Sequence, residues 1–211
     1  MKLSLLFIFL SGFLFSQNLD ISLLRKINLQ GSPSLDPSFR FVTNSVAPLT
    51  LVAPIGYITL YLVRKDEYTK KRAIFVTSTL VFSSALTTLL KYSVNRKRPF
   101  VSYPDIEKET SGGGPSFPSG HTSDAFTLAT TLSILHPKWY IIIPSFAWAS
   151  AVGYSRMDLG VHYPSDVLAG ALLGSGSAYL TYLINKWYFA NKAKLHLKKN
   201  KTGTSLRDQP L

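Results

Sequence analysis

At 211 residues the chain is long enough for one domain and too short to divide into two that would each bury a core. It has no cysteine, so neither a disulfide framework nor a thiolate metal site is available to it, and the redox state of its compartment is immaterial. A net charge of +12 raises the question of nucleic acid, but the 23 lysines and arginines form no aromatic-interleaved stripe; they sit beside uncharged apolar runs, which is the pattern of a membrane protein without a nucleic-acid partner.

Residues 1–17 carry Lys2, the apolar run Leu3 to Leu10, then Phe13 to Phe15, Ser16 and Gln17, which resembles a secretory signal peptide. Leu14 stands where a cut after Ser16 would want a small residue, so an uncleaved signal anchor is the alternative. Asn18 to Ser45 is polar and Pro-containing. Four uncharged runs follow, Val46 to Val63, Ala73 to Leu90, Trp139 to Ser155 and Val167 to Asn185, each of about the length that spans a bilayer core. A fifth, Ala125 to Leu135, is short, and its span must take in Gly120 to Asp124, which brings His121 and Asp124 near an interface. The runs are continuous and lack the alternation of a barrel strand, so they predict helices. The expected fold is an all-α, multi-pass transmembrane helical bundle of about five core spans plus the N-terminal signal peptide or anchor. The membrane domain is expected over 18–190 and a basic cytoplasmic tail over 191–211.

The connection Arg64 to Arg72 (RKDEYTKKR) is basic and belongs inside by the positive-inside rule. Alternation then places Lys91 to Ser119 outside, His136 to Lys138 inside, Arg156 to Ser165 outside and the tail from Lys186 inside. The tail's own lysines agree with that orientation. Small residues in the last span, Gly170, Gly174, Ser175, Gly176, Ser177 and Ala178, suit close helix packing. The turn-rich loop Lys108 to Pro118 (KETSGGGPSFP) is expected to be mobile until it meets a ligand.

Three groups of residues fall on the outer side. Lys91, Arg96, Lys97 and Arg98 resemble an interfacial anchor, yet four cations outside run against the positive-inside bias and call for an anion. Pro118-Ser119-Gly120-His121 opens a helix, where free backbone N–H groups and the positive end of the dipole make an anion site; a capped helix start is the plainer alternative. In SRMDLGVHYPSD, Pro164 suits a first helical turn, so His162 and Asp166, four apart, can meet. A carboxylate on one ring nitrogen fixes the tautomer and frees the other nitrogen as nucleophile or base; an interfacial His with a capping Asp is the other reading. Two histidines and a carboxylate could also ligate a metal, but Lys91, Arg98 and Arg156 would crowd a cation with like charge, whereas they suit a phosphate.

The pattern Lys91, six residues, Arg98-Pro99, then Pro118-Ser119-Gly120-His121, then Ser155-Arg156, five residues, His162, three residues, Asp166 resembles the three-part signature of the type 2 phosphatidic acid phosphatases. Related signatures occur in bacterial non-specific acid phosphatases and vanadium haloperoxidases. The resemblance implies His162 as nucleophile, Asp166 as the group that orients it, and His121 as general acid and later base. Lys91, Arg98, Ser119, Gly120 and Arg156 would bind the phosphate. It implies no metal and no organic cofactor. Asp158, between Arg156 and His162, is unusual beside an anion site, and either neutralises part of Arg156 or points to solvent. The implied substrates are lipid phosphates or pyrophosphates, namely undecaprenyl pyrophosphate, lipid A, phosphatidylglycerol phosphate or phosphatidic acid, met at the outer face of a bacterial-type inner (plasma) membrane, with the periplasm on that side. A lipid phosphotransferase using the same site, and a non-catalytic membrane anion-binding protein, are the alternatives. The oligomeric state is left open.

Overall fold

The computed structural model describes residues 18–205, with side chains to residue 192; the expected signal peptide or anchor at 1–17 lies outside them. After α1 (18–28) and a 3-10 turn, Pro33–Leu35, come α2 (Asp36–Asn44), α3 (Val46–Arg64), α4 (Glu67–Val94), the short α5 (Pro99–Ser102), α6 (Gly120–Leu135), α7 (Trp139–Asp158) and α8 (Pro164–Ser205). No strand occurs among the described residues. The all-α bundle expected from the apolar runs is therefore present, and its five core helices are α3, α4, α6, α7 and α8.

Among the described residues three segments are long and apolar enough to cross a membrane, Pro33–Arg64, Glu67–Ser102 and Pro164–Lys192. Their apolar side chains turn outward: Leu51, Leu62, Val81, Leu168 and Leu172 are all more than half exposed, as in helices that face lipid. The two remaining core helices depart from the simple picture of five equal spans. With 16 residues α6 is about 24 Å long, shorter than the roughly 30 Å hydrocarbon core, and α7 ends on the charged Arg156 and Asp158. α6 sits in the interior, packed by α4, α7 and α8.

Lipid offers no hydrophobic drive for helices to associate, so small side chains and hydroxyls hold the interior together. A Cβ on Gly170 would lie 2.6 Å from the Ser119 carbonyl, and one on Gly174 would lie 2.2 Å from that of Ser123; only glycine lets α8 approach α6 this closely. Between α4 and α6, Ser83 Oγ lies 2.7 Å from Thr127 Oγ1 and Thr87 Oγ1 lies 2.9 Å from Ser123 Oγ, all four residues buried.

Residues 18–45 are polar in composition but fold as helices that cover the top of the bundle. Ile21 and Leu24 of α1 are buried with Ile106 and Tyr163. Asn28 donates to the carbonyls of Glu107 and Asp158, and Arg25 pairs with Asp105 at 2.7 Å. At the far end α8 continues without interruption past residue 190, so the boundary expected there between membrane domain and tail is not a break in secondary structure.

Candidate active site

Each residue of the sequence pattern lies at the same end of the bundle because the helices alternate in direction. Lys91 is in the last turn of α4, and Arg98 immediately precedes α5. Ser119 caps α6, whose first residues are Gly120 and His121. Arg156 is in the last turn of α7, His162 in the link to α8, and Asp166 in the first turn of α8, which opens on Pro164.

His162 is almost fully enclosed, 1% exposed. Its Nδ1 is 3.5 Å from Asp166 Oδ2 and its Nε2 is 3.4 Å from Arg98 Nη1. The four-residue spacing thus brings the carboxylate to one ring nitrogen, at long hydrogen-bonding range, and leaves the other facing a cation. Burial holds His162 down, to about 3, against the opposing pull of Asp166; Arg98 and Arg156 add to the depression. The ring is therefore neutral at physiological pH, with a lone pair on Nε2 when Nδ1 carries the proton.

Arg98 is 7% exposed and Arg156 2% exposed, values that for a guanidinium require compensation. None of Lys91, Arg98 and Arg156 forms an ion pair among the described residues; their partners are neutral oxygens. Arg98 donates to the carbonyls of Gly113, Gly114 and Val161. Arg156 donates to Thr43 Oγ1 of α2 and, at 3.3 Å, to the Ser111 carbonyl, while its Nε is buried without a partner among those residues. Lys91 donates to the Pro115 carbonyl at 3.0 Å and passes beside Gly120, where a Cβ would meet its Cε at 3.6 Å. His121 is half-buried, and the charged groups acting on it are Arg156, Arg98 and Lys91. The chemistry available is an excess of positive charge with spare donors, a helix N-terminus, and two imidazoles. Among the described residues no three His, Cys, Asp or Glu side chains gather into a metal-holding group.

The loop before α6, expected to be mobile until it meets a ligand, accepts hydrogen bonds from these cations. Besides the carbonyls of residues 113–115, the Ser116 N–H donates to the Arg96 carbonyl at 2.7 Å. Glycine-rich chain with no competing side chains leaves its carbonyls free to face the guanidinium. Asp158 also departs from both expectations, since it is buried against Gly31 and makes no ion pair with Arg156 among the described residues. Two residues at the site were not singled out for roles there by sequence reasoning. Ser116 Oγ donates to Asp166 Oδ2 at 2.5 Å, and Arg96 Nη1 donates to Asp166 Oδ1 at 2.7 Å. Ser116 looks like an ordinary loop serine in sequence. In sequence Arg96 is one of four outer cations that call for an anion, with nothing to tie it to Asp166.

An all-α membrane bundle whose buried Arg98 and Arg156 have no carboxylate partner among the described residues and lie by an enclosed neutral histidine is a protein built to handle phosphate at a membrane. The chain belongs to the PAP2 superfamily, whose family model matches residues 72–190, and it is a membrane phosphatase of that superfamily. It is 32% identical over 182 residues to the lipid A 4'-phosphatase of Bacteroides thetaiotaomicron, covering 81% of this chain and 78% of that protein. Over 117 residues it is 38% identical to the undecaprenyl-diphosphatase of Sulfolobus acidocaldarius, covering 55% of this chain and 56% of that protein. The transmembrane PAP2 type phosphatidylglycerolphosphate phosphatase of Bacillus subtilis superposes with a TM-score of 0.67 at 25% identity, over 88% of this chain and 94% of that one.

Proposed function

We propose that this chain hydrolyses a lipid phosphate or pyrophosphate through a phosphohistidine on His162, without a metal. The observation that carries the reading is the trio Lys91, Arg98 and Arg156, buried or half-buried, gathered at the end of the bundle that holds His162 and paired with no carboxylate among the described residues. Such a trio needs an anion, and a phosphoryl group supplies one with oxygens for both guanidinium forks. The Gly120 N–H at the start of α6 and the Ser119 hydroxyl, beside Thr122 Oγ1, add donors on the same side.

In the first step His162 Nε2 forms a bond to phosphorus as the bond to the leaving oxygen breaks, and His121 gives that oxygen its proton. Asp166 keeps Nδ1 protonated and balances the charge that the ring acquires. In the second step His121 takes a proton from water as its oxygen attacks phosphorus, the P–N bond breaks, and phosphate leaves. The cations stabilise the negative charge gathered on the phosphoryl oxygens in both transition states.

A site at the end of a lipid-facing bundle suits a substrate whose tail stays in the bilayer. The relatives act, by their names, on lipid A, undecaprenyl diphosphate and phosphatidylglycerol phosphate. We place lipid A and undecaprenyl pyrophosphate first, because the basic Arg64 to Arg72 connection and the lysines from Lys186 onward belong to the cytoplasm and leave the site facing the periplasm. The test is a panel of lipid A, undecaprenyl pyrophosphate, phosphatidylglycerol phosphate and phosphatidic acid in detergent micelles, scored by phosphate release. His162→Ala should release none, and should yield no acid-labile, base-stable phosphoenzyme after quenching. Turnover by that variant at the wild-type rate would overturn the nucleophile assignment.

A further inference from the structure

The carboxylate that orients His162 does not stand alone. Asp166 Oδ1 accepts from Arg96 Nη1 at 2.7 Å, and the other arm of the same guanidinium, Nη2, donates to Asp20 Oδ2 at 2.7 Å. Asp20 is buried, and its carboxylate also accepts from the Ser165 N–H at 2.9 Å and the Ser165 hydroxyl at 2.5 Å. Arg96 Nη1 further donates to Ser165 Oγ at 2.7 Å, and its guanidinium carbon lies 3.8 Å from the centre of the Tyr163 ring. Asp20 thus holds Arg96 and the first turn of α8, on either side of the residues that flank Asp166.

This arrangement has a physical consequence for the reaction. An Arg96 paired to Asp166 alone would draw that carboxylate's negative charge toward itself and away from the imidazole, weakening its support for the positive ring that forms when phosphorus bonds to Nε2. A second carboxylate on the opposite arm shares the guanidinium charge and leaves Asp166 the stronger partner for His162. The groups packed around Asp166 are Arg96, Ser116, the Tyr163 N–H and His162. Among the described residues Arg96 is the one permanent charge bonded to it, so a change in the counterion of Arg96 is felt there first.

We infer that Asp20, on α1 and outside the span matched by the family, is a positioning residue that acts through Arg96 to keep Asp166 anionic and aimed at His162. The inference rests on the phosphohistidine reading above. It gives α1 a part in the reaction, although no hydrogen bond joins α1 to a phosphate-binding side chain among the described residues.

The test uses the full-length protein in detergent with the best substrate of the panel. Asp20→Asn keeps the volume and the Ser165 N–H bond but removes the charge. It should lower kcat about tenfold with KM changed less than twofold, and slow phosphoenzyme formation in a single turnover by the same factor. Asp20→Glu should recover most of that loss. Because Asp20 works through Arg96, Asp20→Asn added to Arg96→Gln should slow the enzyme no further than Arg96→Gln alone. Wild-type kcat in Asp20→Asn, or two losses that simply multiply, would overturn the inference. An unfolded Asp20→Asn leaves the decision to Asp20→Ser, which also removes the charge and should show the same loss of kcat, with Ser165→Ala, which keeps the charge, within fivefold of wild type; wild-type kcat in Asp20→Ser would overturn the inference. His162→Ala is assayed beside them: if it turns over, the nucleophile assignment fails, which is a different result from an inert Asp20.

Discussion

Ser116 Oγ reaches Asp166 Oδ2 at 2.5 Å, a full ångström nearer than His162 Nδ1 comes to the same oxygen. The serine lies 50 residues before the aspartate and on a different element, so the loop ahead of α6 takes part in setting the carboxylate. Ser116→Ala should cost about tenfold in kcat, roughly what one hydrogen bond to a charged group is worth, and leave KM near its wild-type value. Steady-state rates on the best substrate decide it. A rise in KM with kcat intact would mean that the hydroxyl serves the phosphate instead.

His121 is assigned to the proton that the leaving oxygen needs, so its importance should depend on the leaving group. With a lipid phosphate monoester, His121→Ala should lose about a thousandfold or more in kcat, the usual scale for losing a general acid. With p-nitrophenyl phosphate, whose leaving group departs unprotonated, phosphoenzyme should still form, and then persist because water is no longer activated. Quench-flow with labelled substrate would show a burst followed by a slow phase. Equal loss on both substrates would remove His121 from the acid role.

The buried neutral His162 carries a pH consequence for stability. Its value in the folded chain, about 3, lies below that of an unfolded histidine, near 6.5. Unfolding therefore takes up a proton below about pH 6.5, and stability present above that pH is lost progressively as pH falls toward 3. Thermal unfolding in detergent should show Tm dropping between pH 7 and pH 5, and His162→Gln should flatten that drop by a few degrees. An identical slope in the variant would contradict the burial argument.

Gly174 lets α8 lie against the Ser123 carbonyl. Gly174→Val should force α6 and α8 apart, displacing Ser119 and Asp166, which meet through the Ser119 N–H and the Asp166 carbonyl at 3.0 Å. Little folded, active protein is expected. Gly176→Ala, where an added Cβ meets nothing within 4 Å, should behave as wild type in the same size-exclusion and activity assays.

The helical bundle, the end at which the site lies, and the three motif groups were all readable in the sequence. Runs free of charge have one structural solution in lipid, and residues three and four apart on a helix share a face whatever surrounds them. His162 and Asp166 met because the link before Pro164 runs directly into the first turn of α8, and the glycines of α8 announced close packing. Residues that come together across long stretches of chain carried no such mark. Asp20 and Arg96, Thr43 and Arg156, and Ser116 and Asp166 are each joined by tertiary contact alone. Local spacing thus marked which groups are candidates for chemistry. The fold decided how they are held, because burial and the partner of each charge depend on how α1, α2 and the 108–118 loop close over the bundle.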